Sequence, residues 1–458
     1  MLLAASYYFY MCWKPELIVL ILFTTVVNYL AAIGIEKMTT KNWKRLFLLG
    51  SIVISLGILF FYKYFNFFSH LIGIVLHRFS IPFDPVTLNL ILPMGISFYT
   101  FQTMSYTIDV YLGRTKMEKH FGYFALYVSY FPQLVAGPIE RFDRLLPQLK
   151  QKHNFDYNNV TYGLKQIAIG FFKKMVVADT LAKGVNLVYN NVEAYSGLVL
   201  VAATVMFAFQ IYCDFSGYSD IALGCAKTMG INLMQNFNSP YLSHSIHEFW
   251  SRWHISLSTW FKDYVYISLG GNRVSKVRNY FNIMATFLLS GLWHGASWTF
   301  VIWGGLHGTY QIIEKAISKW LPKKEKTYRN ILWLRINNFK DVLITFMLVC
   351  FGWIFFRANR ISDAIYVIRN MFDGINNPLR YLETGIQALD ISQLGILILV
   401  LELLLLFVID YAQTKVDINE KISTLAPPLR WGIYLAFTSI VAILSTKGTV
   451  AEFIYFQF

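Results

Sequence analysis

Leu288-Leu289-Ser290-Gly291-Leu292-Trp293-His294-Gly295-Ala296-Ser297-Trp298-Thr299-Phe300-Val301 is an apolar run interrupted by one imidazole. With the residues before it, Phe281–Val301 reaches the roughly 20 apolar residues that a helix needs to cross a bilayer. His294 has therefore been taken out of water and put into the membrane or a cavity within it. Ionisable side chains at that depth are costly and are candidates for function by default. Histidine is also the side chain best suited to moving protons near neutral pH.

Outward from this stretch, composition settles the class. The 458 residues are 56% hydrophobic and 17% aromatic, and only 14% are charged, with a mean hydropathy of +0.45. Soluble domains carry roughly 25% charged residues. An all-α, polytopic integral membrane protein is expected. The clearest spans are Leu17–Ile35, Leu46–Phe68, Leu88–Tyr111, Phe121–Gly137, Leu198–Met229, Phe281–Val301, Asp341–Phe356, Leu394–Ile409 and Trp431–Leu444. Gly163–Leu181 and Phe249–Leu269 are shorter or amphipathic. About 11 helices are expected, some of them re-entrant or interfacial. No basic n-region or small-residue cleavage site precedes Trp13-Lys14-Pro15, so a signal peptide is not expected. Cys12, Cys213, Cys225 and Cys350 sit in apolar runs and read as packing thiols. No internal repeat is visible, which weighs against an inverted-repeat transporter.

The net charge of +14 is concentrated in loops. Lys37, Lys41, Lys44 and Arg45 separate two spans, and Lys319, Lys323, Lys324, Lys326, Arg329 and Arg335 fill the longest basic loop. The positive-inside rule makes both loops cytoplasmic. Charges that flank membrane spans in this way argue against nucleic-acid binding and leave an anionic cytoplasmic ligand or a lipid headgroup as partner.

Residues 207–310 hold the chemistry. In Cys213-Asp214-Phe215-Ser216-Gly217-Tyr218-Ser219-Asp220 two carboxylates interrupt an apolar helix pattern, and Ser216-Gly217 suggests a break. A helix end with Asp214 as its cap is the plainer reading. In Glu248–Tyr264, Phe249, Trp250, Trp253, Leu257, Trp260, Phe261 and Tyr264 form one helical stripe. Arg252, Ser256, Thr259, Lys262 and Asp263 lie opposite, and His254 lies at the edge. That describes one amphipathic helix on an interface or along a polar cavity. Glu248 and Arg252 are spaced to pair. The third piece continues the opening stretch. Glycines 291, 295, 304, 305 and 308 permit close helix approach and local unwinding near His294, and Trp293, Trp298 and Trp303 can wall a pocket. His307 reads as an interfacial residue. A buried histidine bonded to a backbone carbonyl is the bland reading of His294.

Other chemistries have little support. His244-x-x-His247 has a plausible ligand spacing, but no His-Glu-x-x-His pattern and no nearby cysteine accompanies it, so no metal is expected. There is no Gly-rich phosphate loop and no Gly-x-Ser-x-Gly elbow.

Six stretches together carry a family resemblance: Leu92–Gln102, Phe131–Ile139, Cys213–Asp220, Phe249–Ser258, Gly291-Leu292-Trp293-His294-Gly295 and Gly352-Trp353-Ile354-Phe355-Phe356-Arg357-Ala358. With these the chain resembles the membrane-bound O-acyltransferase (MBOAT) family, in its bacterial polysaccharide O-acetylation branch. The resemblance covers nearly the whole chain. Members of the branch usually have a further hydrophobic segment before the stretch matching Leu2–Tyr10, so either the start is misassigned or one helix is missing. The resemblance implies a single membrane domain around a central funnel or tunnel, with a catalytic core at about 90–310 and peripheral helices at 336–458. It assigns His294 and His254 as catalytic residues. Asp214, Trp293, Tyr264 and Arg252 are the supporting candidates.

Acyl transfer to a hydroxyl needs a base for the hydroxyl proton and donors for the developing oxyanion. A buried imidazole stays neutral and can be that base. The resemblance implies an acyl thioester, acetyl-CoA, as co-substrate with no bound cofactor. It also implies a polysaccharide acceptor, an SGNH-type extracytoplasmic partner protein and a bacterial cytoplasmic-membrane location. D-alanyl transfer to teichoic acid is the alternative within the family. Outside it stand a proton-coupled transporter using His294, Asp214 and Asp220 as a relay, and a scaffold recruiting a soluble acetylase.

Overall fold

The structure, a computed structural model, describes residues 1–135, 137–320, 331–389, 391–445 and 453–454. Among these the regular structure is helical, with no strand. Six stretches are long and apolar enough to cross a membrane: Pro15–Lys37, Lys41–Arg78, Leu198–Thr228, Asn337–Arg357, Gln393–Gln413 and Pro427–Leu444. Large apolar side chains such as Val53, Leu394, Leu435 and Ile443 are exposed on them. That pattern suits a hydrocarbon solvent, in which a helix satisfies its own backbone groups. The basic residues from Lys323 to Arg329 fall outside the described residues.

Two compact units are formed, residues 1–164 with 222–234, and residues 165–221 with 235–458. In the first, α1 (Ile18–Lys37), α2 (Lys41–Leu59) and α3 (Ile96–Tyr111) pack together. Buried Asn28 of α1 ties them, donating to Ser55 Oγ at 3.1 Å and accepting from Thr107 Oγ1 at 2.9 Å. Two expected spans are shorter than anticipated. Residues 88–95 are not helical, and α3 begins only after Pro93 and Gly95. The expected span Phe121–Gly137 is helical only as far as Ser129 as α4 (Phe121–Ser129), after which Tyr130 turns out and Pro132 sits in a new short turn. Proline, lacking an N–H, opens helices and does not continue them.

The second unit carries the site. α5 (Tyr157–Phe171) runs into a π-helical turn, Phe172–Ala178. The unbroken α6 (Leu198–Thr228) passes straight through Ser216-Gly217, so the expected break is absent. Gly217 serves contact instead. A Cβ there would stand 2.8 Å from Gly170 O and 2.9 Å from Lys174 N. Next come α7 (Ile246–Arg252), α8 (Ile255–Phe261), and the hairpin of α9 (Lys276–His294) and α10 (Trp298–Trp320). The expected span Phe281–Val301 is therefore cut at Gly295. The remaining long helices are α11 (Ile331–Arg357), α12 (Gln393–Gln413) and α13 (Pro427–Leu444), the last with no buried residue. The core between them is aromatic, with Trp253, Trp303, Trp353, Phe207, Phe249 and Phe356 all buried.

Candidate active site

His294 is the last residue of α9, where Gly295 becomes extended (φ −165°, ψ 153°) and the chain turns into α10. The hairpin is tight because it is built on glycine. A Cβ on Gly291 would lie 2.3 Å from Phe300 O, and one on Gly304 would lie 2.3 Å from Phe287 O. Backbones this close tolerate no side chain between them. The hairpin buries the imidazole to 3% exposure. Its ring centroid lies 4.9 Å from Trp293, 5.0 Å from Trp303 and 5.2 Å from Phe356, all edge-on.

His254 lies outside any helix. The single amphipathic helix expected over 248–264 is two helices, α7 and α8, with His254 between them in the left-handed region at φ 43°, ψ 54°. That conformation costs a residue with a Cβ about 1–2 kcal/mol, so something must hold it. Asn236 does. Its carbonyl accepts Ile255 N–H at 2.9 Å, and its Oδ1 accepts Ser256 Oγ–H at 2.6 Å. Ser256, expected on the polar face, is buried for that reason. His254 is itself fully buried, which pushes its imidazole down to about 3 and keeps it neutral. Its ring is edge-on to Phe215 at 4.6 Å and to Trp293 at 6.0 Å. Trp293 thus touches both imidazoles.

Asp214 is placed by a different set of partners. Its Oδ1 is 2.7 Å from Lys174 Nζ, and its Oδ2 accepts Ile454 N–H at 2.7 Å. It caps no helix. Lys174 also holds Asp179 at 2.8 Å, while neighbouring Lys173 holds Asp220 at 2.9 Å and Asp410 at 4.0 Å. The π turn lets two consecutive lysines each sit between two carboxylates. Breaking such a buried pair from one side costs about 3–5 kcal/mol. Phe215, the residue after Asp214, is the one that meets His254, so this network fixes the helix that walls the site. Lys173, Lys174 and Asn236 were missed from sequence. The lysines left a visible signal, two adjacent cations inside the apolar run Ile167–Val177.

The remaining candidates divide. Trp293 and Trp303 are buried walls, whereas Trp298 opens α10 and is half exposed. Arg252 pairs with Glu248 at 2.6 Å, as the spacing predicts, on the partly exposed side of α7. Tyr264 lies in the π-helical turn Lys262–Tyr266, against Trp260 at 5.1 Å. His307, expected at an interface, is fully buried. Its Nδ1 accepts Trp250 Nε1–H at 3.2 Å, and its ring lies 5.1 Å from Trp303. It belongs to the wall behind His294, buried by the aromatic residues of α7 and α10. His244 and His247 are exposed, and among the described residues no three His, Cys, Asp or Glu side chains converge as metal ligands would.

A buried, neutral-capable imidazole in an aromatic cage, coupled through one tryptophan to a second, suits proton transfer to and from a substrate hydroxyl in a water-poor site. Comparison with known proteins bears on the class. The model of the membrane-bound O-acyltransferase family matches residues 119–356. A protein of Azotobacter vinelandii named "Probable alginate O-acetylase AlgI" is 40% identical, over 81% of this chain and 72% of its own length. The peptidoglycan O-acetyltransferase of Helicobacter pylori is 37% identical, over 82% of this chain and 73% of its own. The teichoic acid D-alanyltransferase of Bacillus subtilis is 30% identical, over 67% and 76% respectively. With six membrane-length helical stretches among the described residues and these matches, the chain belongs to the membrane-bound O-acyltransferase family and is a multi-pass membrane acyltransferase.

Proposed function

We propose that the chain moves an acetyl group from acetyl-CoA, reached from the cytoplasmic face of a bacterial cytoplasmic membrane, to a polysaccharide hydroxyl outside it. The transfer runs directly or through a serine of an SGNH-type partner protein. His294 is the general base. It takes the hydroxyl proton as the oxygen attacks the thioester carbonyl. The tetrahedral intermediate then collapses, the carbon–sulfur bond breaks, and the proton on the imidazole goes to the departing thiolate. Trp293 and His254 form the second layer that fixes the ring, and Asp214, through Lys174, fixes the helix that carries Phe215. Tyr264 and Arg252 are partly exposed and support the site rather than act on the reacting atoms. The observation that carries the reading is the burial of His294 at a helix end, inside a tryptophan and phenylalanine cage. The names of the 40% and 37% identical relatives favour acetyl over D-alanyl as the group moved.

The test uses purified chain in detergent with labelled acetyl-CoA, monitoring thiol release and label on an added acceptor. Wild type releases thiol and transfers label. His294→Ala loses both by about 10²–10⁴-fold, the usual size of a general-base contribution. Full activity of that variant at matched protein level removes His294 from the chemistry. Turnover of a D-alanyl carrier-protein thioester, with none of acetyl-CoA, moves the assignment to the D-alanyl branch.

A further inference from the structure

We propose that the basic turn leading into α9 docks the headgroup of an anionic phospholipid of the cytoplasmic leaflet. The 19 residues of α9 separate this surface from His294, a rise of about 27 Å, so its role is independent of the acyl-transfer reading.

Between the π-helical turn Lys262–Tyr266 and α9 the chain passes two glycines at positive φ, Gly270 at 106° and Gly271 at 57°. The turn they make is fixed. Gly271 O accepts Asn279 Nδ2–H at 2.8 Å and Asn282 Nδ2–H at 3.1 Å, and both asparagines are buried. Asn279 Nδ2 also donates to Tyr266 Oη at 2.7 Å. On this platform stand Arg273, Lys276 and Arg278, all exposed. Among the described residues none of the three pairs with a carboxylate, and from Tyr264 to Ile313 the sequence contains no Asp or Glu.

Apolar side chains adjoin these cations. Val277 is 79% exposed, Phe281 54% and Ile267 50%. Val277 and Phe281 are four apart and share a face of α9, and the Arg278 guanidinium lies over the Phe281 ring at 5.0 Å. Apolar groups that enter the acyl region beside cations that reach the headgroups are the pattern of a membrane interface. The side follows from the hairpin. α10 returns along α9, with Lys315 donating to Asn279 Oδ1, and ends at Trp320, where Lys319–Arg335 mark the cytoplasmic side. Anionic lipids of that leaflet attract Lys and Arg. Charge thus selects an anion, and the adjoining apolar face selects one that carries acyl chains over a soluble phosphate.

The test measures binding of phosphatidylglycerol and of phosphatidylcholine with the same acyl chains to the delipidated full chain in detergent, by native mass spectrometry. One variant combines Arg273→Gln, Lys276→Gln and Arg278→Gln. A second, Val277→Gln, keeps the cations and removes the apolar contact. A control combines Lys37→Gln, Lys41→Gln and Lys44→Gln in the other basic loop. The residues substituted in the turn are exposed, so the variants should fold. Wild type and the control are expected to prefer phosphatidylglycerol by tenfold or more, less so as salt rises. The triple variant of the turn should lose the preference, and Val277→Gln should bind severalfold more weakly. Wild type that binds both lipids alike, or a turn variant that loses no more than the control, overturns the inference. An unchanged Val277→Gln does so too, since it would leave a site for phosphate alone. So does desulfo-CoA that displaces the lipid and binds tenfold more weakly to the turn variant, which would assign the cations to the phosphates of a soluble donor.

Discussion

Replacing Gly217 by alanine tests whether this glycine is a contact or a hinge. The added Cβ meets Gly170 O at 2.8 Å, Lys174 N at 2.9 Å and Lys173 Cβ at 3.1 Å, while ordinary contact begins at 3.4 Å. Two of the three neighbours are backbone and cannot rotate away. α6 and the π turn must then separate by about 0.6 Å, the difference between 3.4 and 2.8 Å. The same movement stretches the 2.7 Å Lys174–Asp214 pair past a good hydrogen-bond length. Overpacking of this kind costs about 1–3 kcal/mol, and the helix preference of alanine over glycine returns about 1 kcal/mol. The expected result is a net loss of up to about 2 kcal/mol and a fall of up to a few degrees in unfolding midpoint. Gly170→Ala, meeting Gly217 O at 2.6 Å, should fall further. Gly50→Ala, with nothing within 4 Å of its Cβ, is the control and should be neutral or slightly stabilised. Thermal unfolding in detergent and acyl transfer at 25 °C are the readouts. If Gly217→Ala matches Gly50→Ala in both, the close approach of α6 to the π turn does not hold the site.

Three other outcomes are expected. At His254 both Gly and Ala remove the imidazole, but only Gly accepts φ 43° freely, so the Gly variant should be about 1 kcal/mol more stable than the Ala variant; equal midpoints would contradict the strain. Glu140 is buried, which pushes its carboxyl from 4.5 up to about 7 against the opposing effects of Met234 N–H and Arg144. A raised folded-state value adds stability that is whole below pH 4.5 and lost as pH rises through about 7. The wild-type midpoint should thus decline across that window and Glu140→Gln should flatten the decline, a prediction that fails if both slopes agree. His307→Asn keeps an acceptor for the Trp250 indole and should retain more stability than His307→Phe, by about 1 kcal/mol, as read from unfolding midpoints.

The membrane class was legible because a long apolar run has few other homes, and the catalytic candidate because an imidazole inside one stands out. Span ends were less legible. Residues 88–95 are apolar enough for a helix, and only Pro93 and Gly95 disclose that the helix starts later. Gly217 misled because flexibility and close contact both ask for glycine, and the difference lies on the helix opposite, at Gly170. His254 looked like the edge of a helical stripe because the residue that bends the chain there, Asn236, belongs to a separate loop. The lysine pair was visible, but Asp214 and Asp410 sit on helices whose proximity is tertiary.

The π turn at Phe172–Ala178 has a consequence for engineering. A π turn is in effect one residue inserted into an α-helix. What the site needs there is a count rather than an identity. Removing any single residue between Phe172 and Ala178 would leave a more regular helix and rotate its N-terminal half by about 100° relative to its C-terminal half. Lys173 and Lys174 would then no longer face opposite carboxylates. Substitutions in this segment test side chains, whereas a one-residue deletion tests phase, and phase is what aligns the two halves of the helix with the site.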